Sequence, residues 1–197
     1  MGFIVITGTP GVGKTNTSRI LARKLKATHI DLNKIVLNER LTVGYDKKRK
    51  CFIADFKKIS EKISKVMKKL GKRTTILDGH YAVLVAEPSM IEYVFVLRCN
   101  PEELETRLKN RRYLKKKMAE NVMAEILGAC LSDAIVVCGR EKVYQIDVTQ
   151  KSPDEVVSDI IGILDKKGEG VENIDWISEM EKNGKIERLL DYGRQLQ

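Results

Sequence analysis

Residues 8–15 read Gly-Thr-Pro-Gly-Val-Gly-Lys-Thr, after the apolar run Phe3-Ile4-Val5-Ile6 and before a stretch of helical spacing. A GxxxxGK[ST] octapeptide between a strand and a helix constrains a chain more than any other short feature, because it prescribes a phosphate-binding loop. The glycines let the backbone wrap an anion with its N–H groups pointing inward. The first turn of the following helix adds positive potential at the same place. Lys14 supplies a mobile cation for the β- and γ-phosphates, and the Thr15 hydroxyl is a ligand type for Mg²⁺. Gly11, Val12, Gly13, Lys14 and Thr15 are thus the expected contacts of ATP.

Around this loop, strand-like and helix-like segments alternate. Strands are expected at 3–7, 28–31, 74–78, 93–98 and 142–148, and helices at 14–26, 32–41, 54–70, 101–111, 117–138 and 153–166. Such alternation predicts an α/β fold with a mainly parallel sheet covered by helices. Asn100-Pro101-Glu102-Glu103 and Ser152-Pro153-Asp154-Glu155 are helix starts, with a capping residue, proline at N1 and acids in the first turn. Lys166-Lys167-Gly168-Glu169-Gly170 reads as a linker, which divides the chain into a domain at 1–167 and a helical extension at 168–197. Within the extension Asn183-Gly184 predicts a break between two helices. The pair is expected to dock as a structural element whose removal leaves catalysis near normal.

Asp78 ends the apolar strand Ile76-Leu77-Asp78, at the carboxyl edge where α/β sheets bind ligands. An acid there is the expected second holder of Mg²⁺, and His80 beside it is a candidate for positioning water or phosphate. His29, the other histidine, has no such neighbour in sequence and receives no role. Arg107 and Arg111, one helical turn apart near the end of 101–111, are expected to share a face and close on the transferring phosphoryl group. Lys115-Lys116-Lys117 continues them as a basic lid, with an RNA-contacting surface as the rival reading.

Residues 151–197 carry 7 Lys/Arg and 11 Asp/Glu of the chain's 36 and 27, so residues 1–150 carry 29 and 16, a balance of +13. A basic body suits polyanions, and weak RNA contact is one expectation. The four cysteines, Cys51, Cys99, Cys130 and Cys138, show no CxxC spacing, which predicts reduced thiols. No stretch reaches the roughly 18 apolar residues of a membrane span. The N-terminus lacks the pattern of a signal peptide, so a cytoplasmic location is expected.

The combination resembles the adenylate kinase isoenzyme 6 family, in its archaeal branch, over about residues 2–165. The matching stretches are Thr7 to Thr15, Gly44-Tyr45-Asp46 with Cys51, Asp78 with His80, and Val94 to Arg98. Further along they are Glu105, Arg107, Leu108, Arg111 and Tyr113, then Lys116-Lys117, Glu120-Asn121-Val122 and Glu125-Ile126. The resemblance implies a P-loop NTPase three-layer α/β/α sandwich with a parallel five-stranded sheet. It implies an NMP-binding region near 31–54 and a lid near 110–120. It further implies transfer of phosphate from Mg²⁺-ATP to AMP, accompanying ATPase activity, and a small-subunit ribosomal protein as partner in ribosome maturation. By the same resemblance Lys14, Asp78, His80 and Arg111 are catalytic, and Asn16 joins the nucleotide contacts. This chain departs from the family at Asn16, at Gly79, at Arg112 and at Leu37, where an arginine is expected in the NMP-binding helix; Arg40 lies one turn on.

Overall fold

The computed structural model describes residues 2–47, 51–71, 73–165 and 173–195. The linker read at 166–170, the 167/168 boundary and the side chain of Cys51 lie outside what is described. In chain order the elements are β1 (Phe3–Thr7), α1 (Lys14–Lys24), β2 (Thr28–Asp31), α2 (Leu32–Asn38), β3 (Thr42–Asp46), β4 (Cys51–Ala54), α3 (Phe56–Leu70), β5 (Thr75–Asp78) and α4 (Ala82–Val85). They continue with β6 (Ile91–Arg98), α5 (Pro101–Asn110), α6 (Lys115–Ile126), α7 (Ala129–Cys138), β7 (Val143–Asp147), α8 (Pro153–Asp165), α9 (Trp176–Lys182) and α10 (Glu187–Arg194).

Five strands form one parallel sheet in the order β2-β5-β1-β6-β7. The central strand β1 is buried along its whole length because both faces are covered, as parallel sheets require. Ile4 and Ile6 point into one apolar layer with Leu21 of α1, Leu104 and Leu108 of α5, Val122 of α6 and Ile160 of α8. Phe3 and Val5 point the other way, to Ile59, Ile63 and Met67 of α3, Val83 of α4 and Ala134 of α7. The three-layer α/β/α architecture follows directly from that alternation.

Local chemistry sets the element ends. Asp55 caps α3 by accepting from the Lys58 amide at 3.1 Å, and Asn100 caps α5 by accepting from the Glu102 amide at 3.0 Å. Two expectations need correction. The stretch at 117–138 is two helices that meet at 51°, because Gly128 takes φ 65°, a left-handed conformation that ends α6. Thr42–Asp46 and Cys51–Ala54 pair antiparallel, β3 with β4, which no strand expectation anticipated. Their apolar residues Val43, Tyr45, Phe52 and Ile53 all lie exposed, so they carry no inside–outside alternation. The extension breaks at Asn183-Gly184 as expected, and both of its helices contribute to the core, through Met180 and Tyr192.

Candidate nucleotide site

β1 ends at Thr7 and the chain turns at once through the glycine-rich loop. Gly8 has φ 136°, and a Cβ there would lie 2.4 Å from the Leu97 carbonyl oxygen, so no other residue fits between β1 and β6. Gly11 and Gly13 also take positive φ, 106° and 108°, and Gly13 is the residue from which α1 springs. Lys14 is buried, and its ammonium donates to the carbonyls of Gly8 at 2.7 Å and Thr9 at 3.0 Å. Burial lowers its pKa to about 8, although Asp78 and Glu125 nearby pull it upward. The Lys14 charge is therefore held inside the loop by groups the fold itself supplies.

Strand register brings the acid to this loop. Ile6 pairs with Asp78, so the carboxylate stands beside the start of the loop. Asp78 is 1% exposed; its Oδ1 accepts from the Thr15 hydroxyl at 3.2 Å and its Oδ2 lies 2.5 Å from Nε2 of His29. His29, given no role from sequence, is the second partner of the carboxylate. Only the parallel pairing of β2 with β5, which sets Asp31 beside Asp78, reveals it.

Past Asp78 the chain is tight. A Cβ at Gly79 would lie 2.9 Å from the Leu32 side chain, so the glycine here permits close packing of β5 on α2. His80 is half-buried, and its pKa is lowered to about 4 by burial, reinforced by the charges of Lys14 and Lys117. It is therefore neutral near pH 7. Its ring meets Tyr81 edge-on at 4.3 Å, and Tyr81 in turn meets Phe56 at 5.1 Å, linking the sheet edge to the first residue of α3.

Arg107 and Arg111 differ in exposure. Arg107 is half-buried and donates to the carbonyls of Val12 at 3.2 Å and Val148 at 3.0 Å, and it pairs with Glu103. It ties the phosphate loop to α5 and to the turn after β7. Arg111 is exposed at the C-terminal cap of α5, and Arg112 after it holds φ 58°. Arg107 thus bonds the loop backbone, while the Arg111 charge acts on Lys14 and helps to lower its pKa. Lys117 lies 5.4 Å from the ring centre of Tyr113, giving the lid segment its own packing. Asn16 is exposed on the first turn of α1.

Beneath the loop sits a group that sequence reasoning matched but gave no role. Glu125 of α6 is 1% exposed and accepts from the Thr9 hydroxyl at 2.6 Å, Arg98 Nε at 2.8 Å, the Cys99 amide at 3.1 Å and the Trp176 indole at 3.0 Å. Arg98 completes its own bonding with Gln145 and the Glu125 carbonyl, both at 2.8 Å. No adjacency along the chain signals this cluster.

A family model described as an AAA domain matches residues 4–128. A protein of Methanocaldococcus jannaschii named "Putative adenylate kinase" is 38% identical over 88% of this chain and 92% of its own length. The chain belongs to that family. A relative of the same name from Pyrococcus abyssi is 36% identical over 88% of this chain and 91% of its own. Among solved structures, a gluconokinase from Sinorhizobium meliloti superposes with a TM-score of 0.57 at 14% identity, covering 85% of this chain and 94% of its own. The shikimate kinase of Aquifex aeolicus superposes at 0.51 and 16%, covering 85% and 99%. At such identities the structural likeness establishes the P-loop three-layer fold. The AAA-domain match spans the phosphate loop, Asp78, His80, the α5 arginines and Glu125, so all of these residues lie within the part of the chain the family shares.

Proposed function

We propose that the protein transfers the γ-phosphoryl group of Mg²⁺-bound ATP to AMP, as a member of the adenylate kinase isoenzyme 6 type working in the cytoplasm. One observation carries the reading: the Thr15 hydroxyl and the Asp78 carboxylate meet at 3.2 Å beside a buried Lys14, in a chain whose relatives bear an adenylate kinase name. A hydroxyl and a carboxylate are hard oxygen donors, and the pair suits Mg²⁺, which takes few protein ligands and completes its shell with water and phosphate. When bound, the ion neutralises phosphate charge.

The rest is done by the chain. Loop N–H groups and Lys14 hold the donor phosphates, and phosphoryl transfer asks mainly for positioning and charge neutralisation. Arg107 keeps the Val12 turn fixed, and Arg111, whose charge reaches Lys14, closes on the transferring group. α2 and the β3–β4 hairpin present the acceptor, with Arg40 standing in for the arginine replaced by Leu37. A screen with labelled ATP against AMP, CMP, UMP, GMP, dAMP and water tests this. AMP is expected to be the fastest acceptor, and transfer to none of the five nucleotides defeats the reading.

A second reading makes hydrolysis the physiological step, with ATP turnover releasing a small-subunit ribosomal protein during ribosome maturation and with weak RNA contact. Two observations favour it. His80 is neutral and so able to orient a water, and α3 presents Lys57, Lys58, Lys65, Lys68 and Lys69 to solvent. His80→Gly separates the two readings. If His80 positions water, hydrolysis falls about tenfold or more while transfer to AMP is spared; an equal loss of both assigns it a packing role.

A further inference from the structure

Glu125 joins parts of the molecule far apart in sequence. Its Oε2 holds the Thr9 hydroxyl at 2.6 Å, and the Thr9 carbonyl holds the Lys14 ammonium at 3.0 Å. Its Oε1 is shared by Arg98, the Cys99 amide and the indole N–H of Trp176, at 2.8, 3.1 and 3.0 Å. The carboxylate's two oxygens thus divide between the phosphate loop and the C-terminal extension. Trp176 is 4% exposed and its ring lies 5.9 Å from the Arg98 guanidinium carbon, so it also covers the buried Arg98–Glu125 ion pair.

The extension is held in place for this contact. Arg188 pairs with Glu102 and reaches Glu105 at 3.0 Å, Lys185 reaches Glu102 at 3.0 Å, and the Tyr192 hydroxyl donates to Glu105 at 2.6 Å. All these acids lie on α5, the helix whose Arg107 grips the Val12 carbonyl of the loop. The extension therefore bears on the phosphate loop by two routes, through Glu125 and through α5.

We propose that Trp176 is a positioning residue for the phosphate loop, setting the Thr9–Lys14 geometry through Glu125, so that the C-terminal extension is part of the ATP site. A buried carboxylate that loses one donor and gains access to water shifts toward solvent, and its remaining partners shift with it. The Thr9 hydroxyl is the partner on the loop side. The inference rests on the donor-site reading above and adds that the extension governs donor affinity.

Trp176 is the only tryptophan in the chain, so its emission reports this contact directly. The experiment uses the full chain and three variants: Trp176→Phe, which keeps a ring and removes the donor, Thr9→Val, and the double variant. ATP affinity is measured by calorimetry, KM and kcat by turnover, and melting temperature separately. Trp176→Phe and Thr9→Val are each expected to raise the Kd for ATP about tenfold, in KM more than in kcat. The double variant is expected to be no worse than about tenfold, since partners in one network are not additive. In the unsubstituted chain ATP is expected to change the Trp176 emission, and in Thr9→Val saturating ATP is expected to leave it unchanged. Wild-type Kd in Trp176→Phe overturns the proposal, as does a roughly hundredfold, multiplicative loss in the double variant. An emission indifferent to ATP in the unsubstituted chain also overturns it when calorimetry shows binding. Absence of ATP binding to the unsubstituted chain removes the donor-site reading itself, and the relay with it, which distinguishes the two failures.

Discussion

The phosphate loop and the β3–β4 hairpin are built on opposite principles. Around the loop, Thr9, Lys14 and Asp78 are each buried and bonded to groups of the fold, and the glycines are set by backbone sterics. The hairpin instead leaves Val43, Tyr45 and Phe52 at 66%, 51% and 58% exposure, and Leu37 of α2 at 56%. Its internal order among the described residues includes an edge-on contact of Tyr45 with Phe52 at 5.2 Å. A site pre-organised for a constant group, a phosphate chain, can be made by backbone. A surface for a group that varies is left to side chains with room to move. The difference predicts that donor chemistry fails sharply on substitution, while acceptor handling degrades gradually.

The largest break is expected at Lys14. Lys14→Ala removes the cation enclosed by the loop and should lower both transfer and hydrolysis about 10³-fold, in the range found when a preorganised charge-stabilising group is lost. Full turnover in a folded Lys14→Ala protein would take the loop out of the mechanism. Next comes pH. Because the Lys14 pKa is lowered to about 8, kcat/KM should be level below that value and fall about tenfold per unit above it. Bound phosphates favour the charged amine, so the same limb in kcat should lie at higher pH. The stability sign is opposite: between about 8 and 10.5 the unfolded lysine holds a proton that the folded one does not, so stability rises with pH there. A kcat/KM profile flat to pH 10 would remove the link between burial and charge.

At the hairpin the effect should be smaller and confined to the acceptor. Phe52→Ala is expected to raise KM for AMP severalfold, about the worth of one partly buried aromatic contact, and to leave the Kd for ATP unchanged. A matching loss in ATP affinity would mean the two regions are not independent. The least effect is expected at Arg112, which holds a left-handed φ of 58° between α5 and α6. Arg112→Gly should relieve about 1 kcal/mol of backbone strain and raise the melting temperature slightly, with donor affinity unaffected. A lower melting temperature would show that the Arg112 side chain contributes more than its backbone costs.

The fold was readable where chemistry is local. The five parallel strands, the caps at Asn100 and the loop at 8–15 each carry their signal within a few residues. The hairpin was not readable, because exposed apolar residues on both of its strands mimic no amphipathic period. The bend at Gly128 was hidden inside an apolar pattern that runs on through both helices. In the site, Lys14, Thr15 and Asp78 were legible from motif and strand end. His29 was not, since its approach to Asp78 depends on how β2 registers against β5. The contact of the extension with Glu125 was illegible for the same reason. Trp176 and Thr9 are brought to one carboxylate by packing that leaves no trace in local sequence.

The order of strands also bears on how the molecule comes into being. β1, first along the chain, has as its neighbours β5 and β6, with Phe3 paired to Thr75 and Ile91. At roughly 5–20 residues per second of synthesis, the first strand waits several seconds for either partner to be made. Contacts of such long sequence separation also form slowly once the chain is free. Throughout that interval Gly8-Thr9-Pro10-Gly11 has neither the Leu97 carbonyl that shapes it nor the Glu125 that secures it. A nascent chain can therefore engage a nucleotide only after about two-thirds of its length is in place, which makes ligand capture a consequence of assembly, not a nucleus for it.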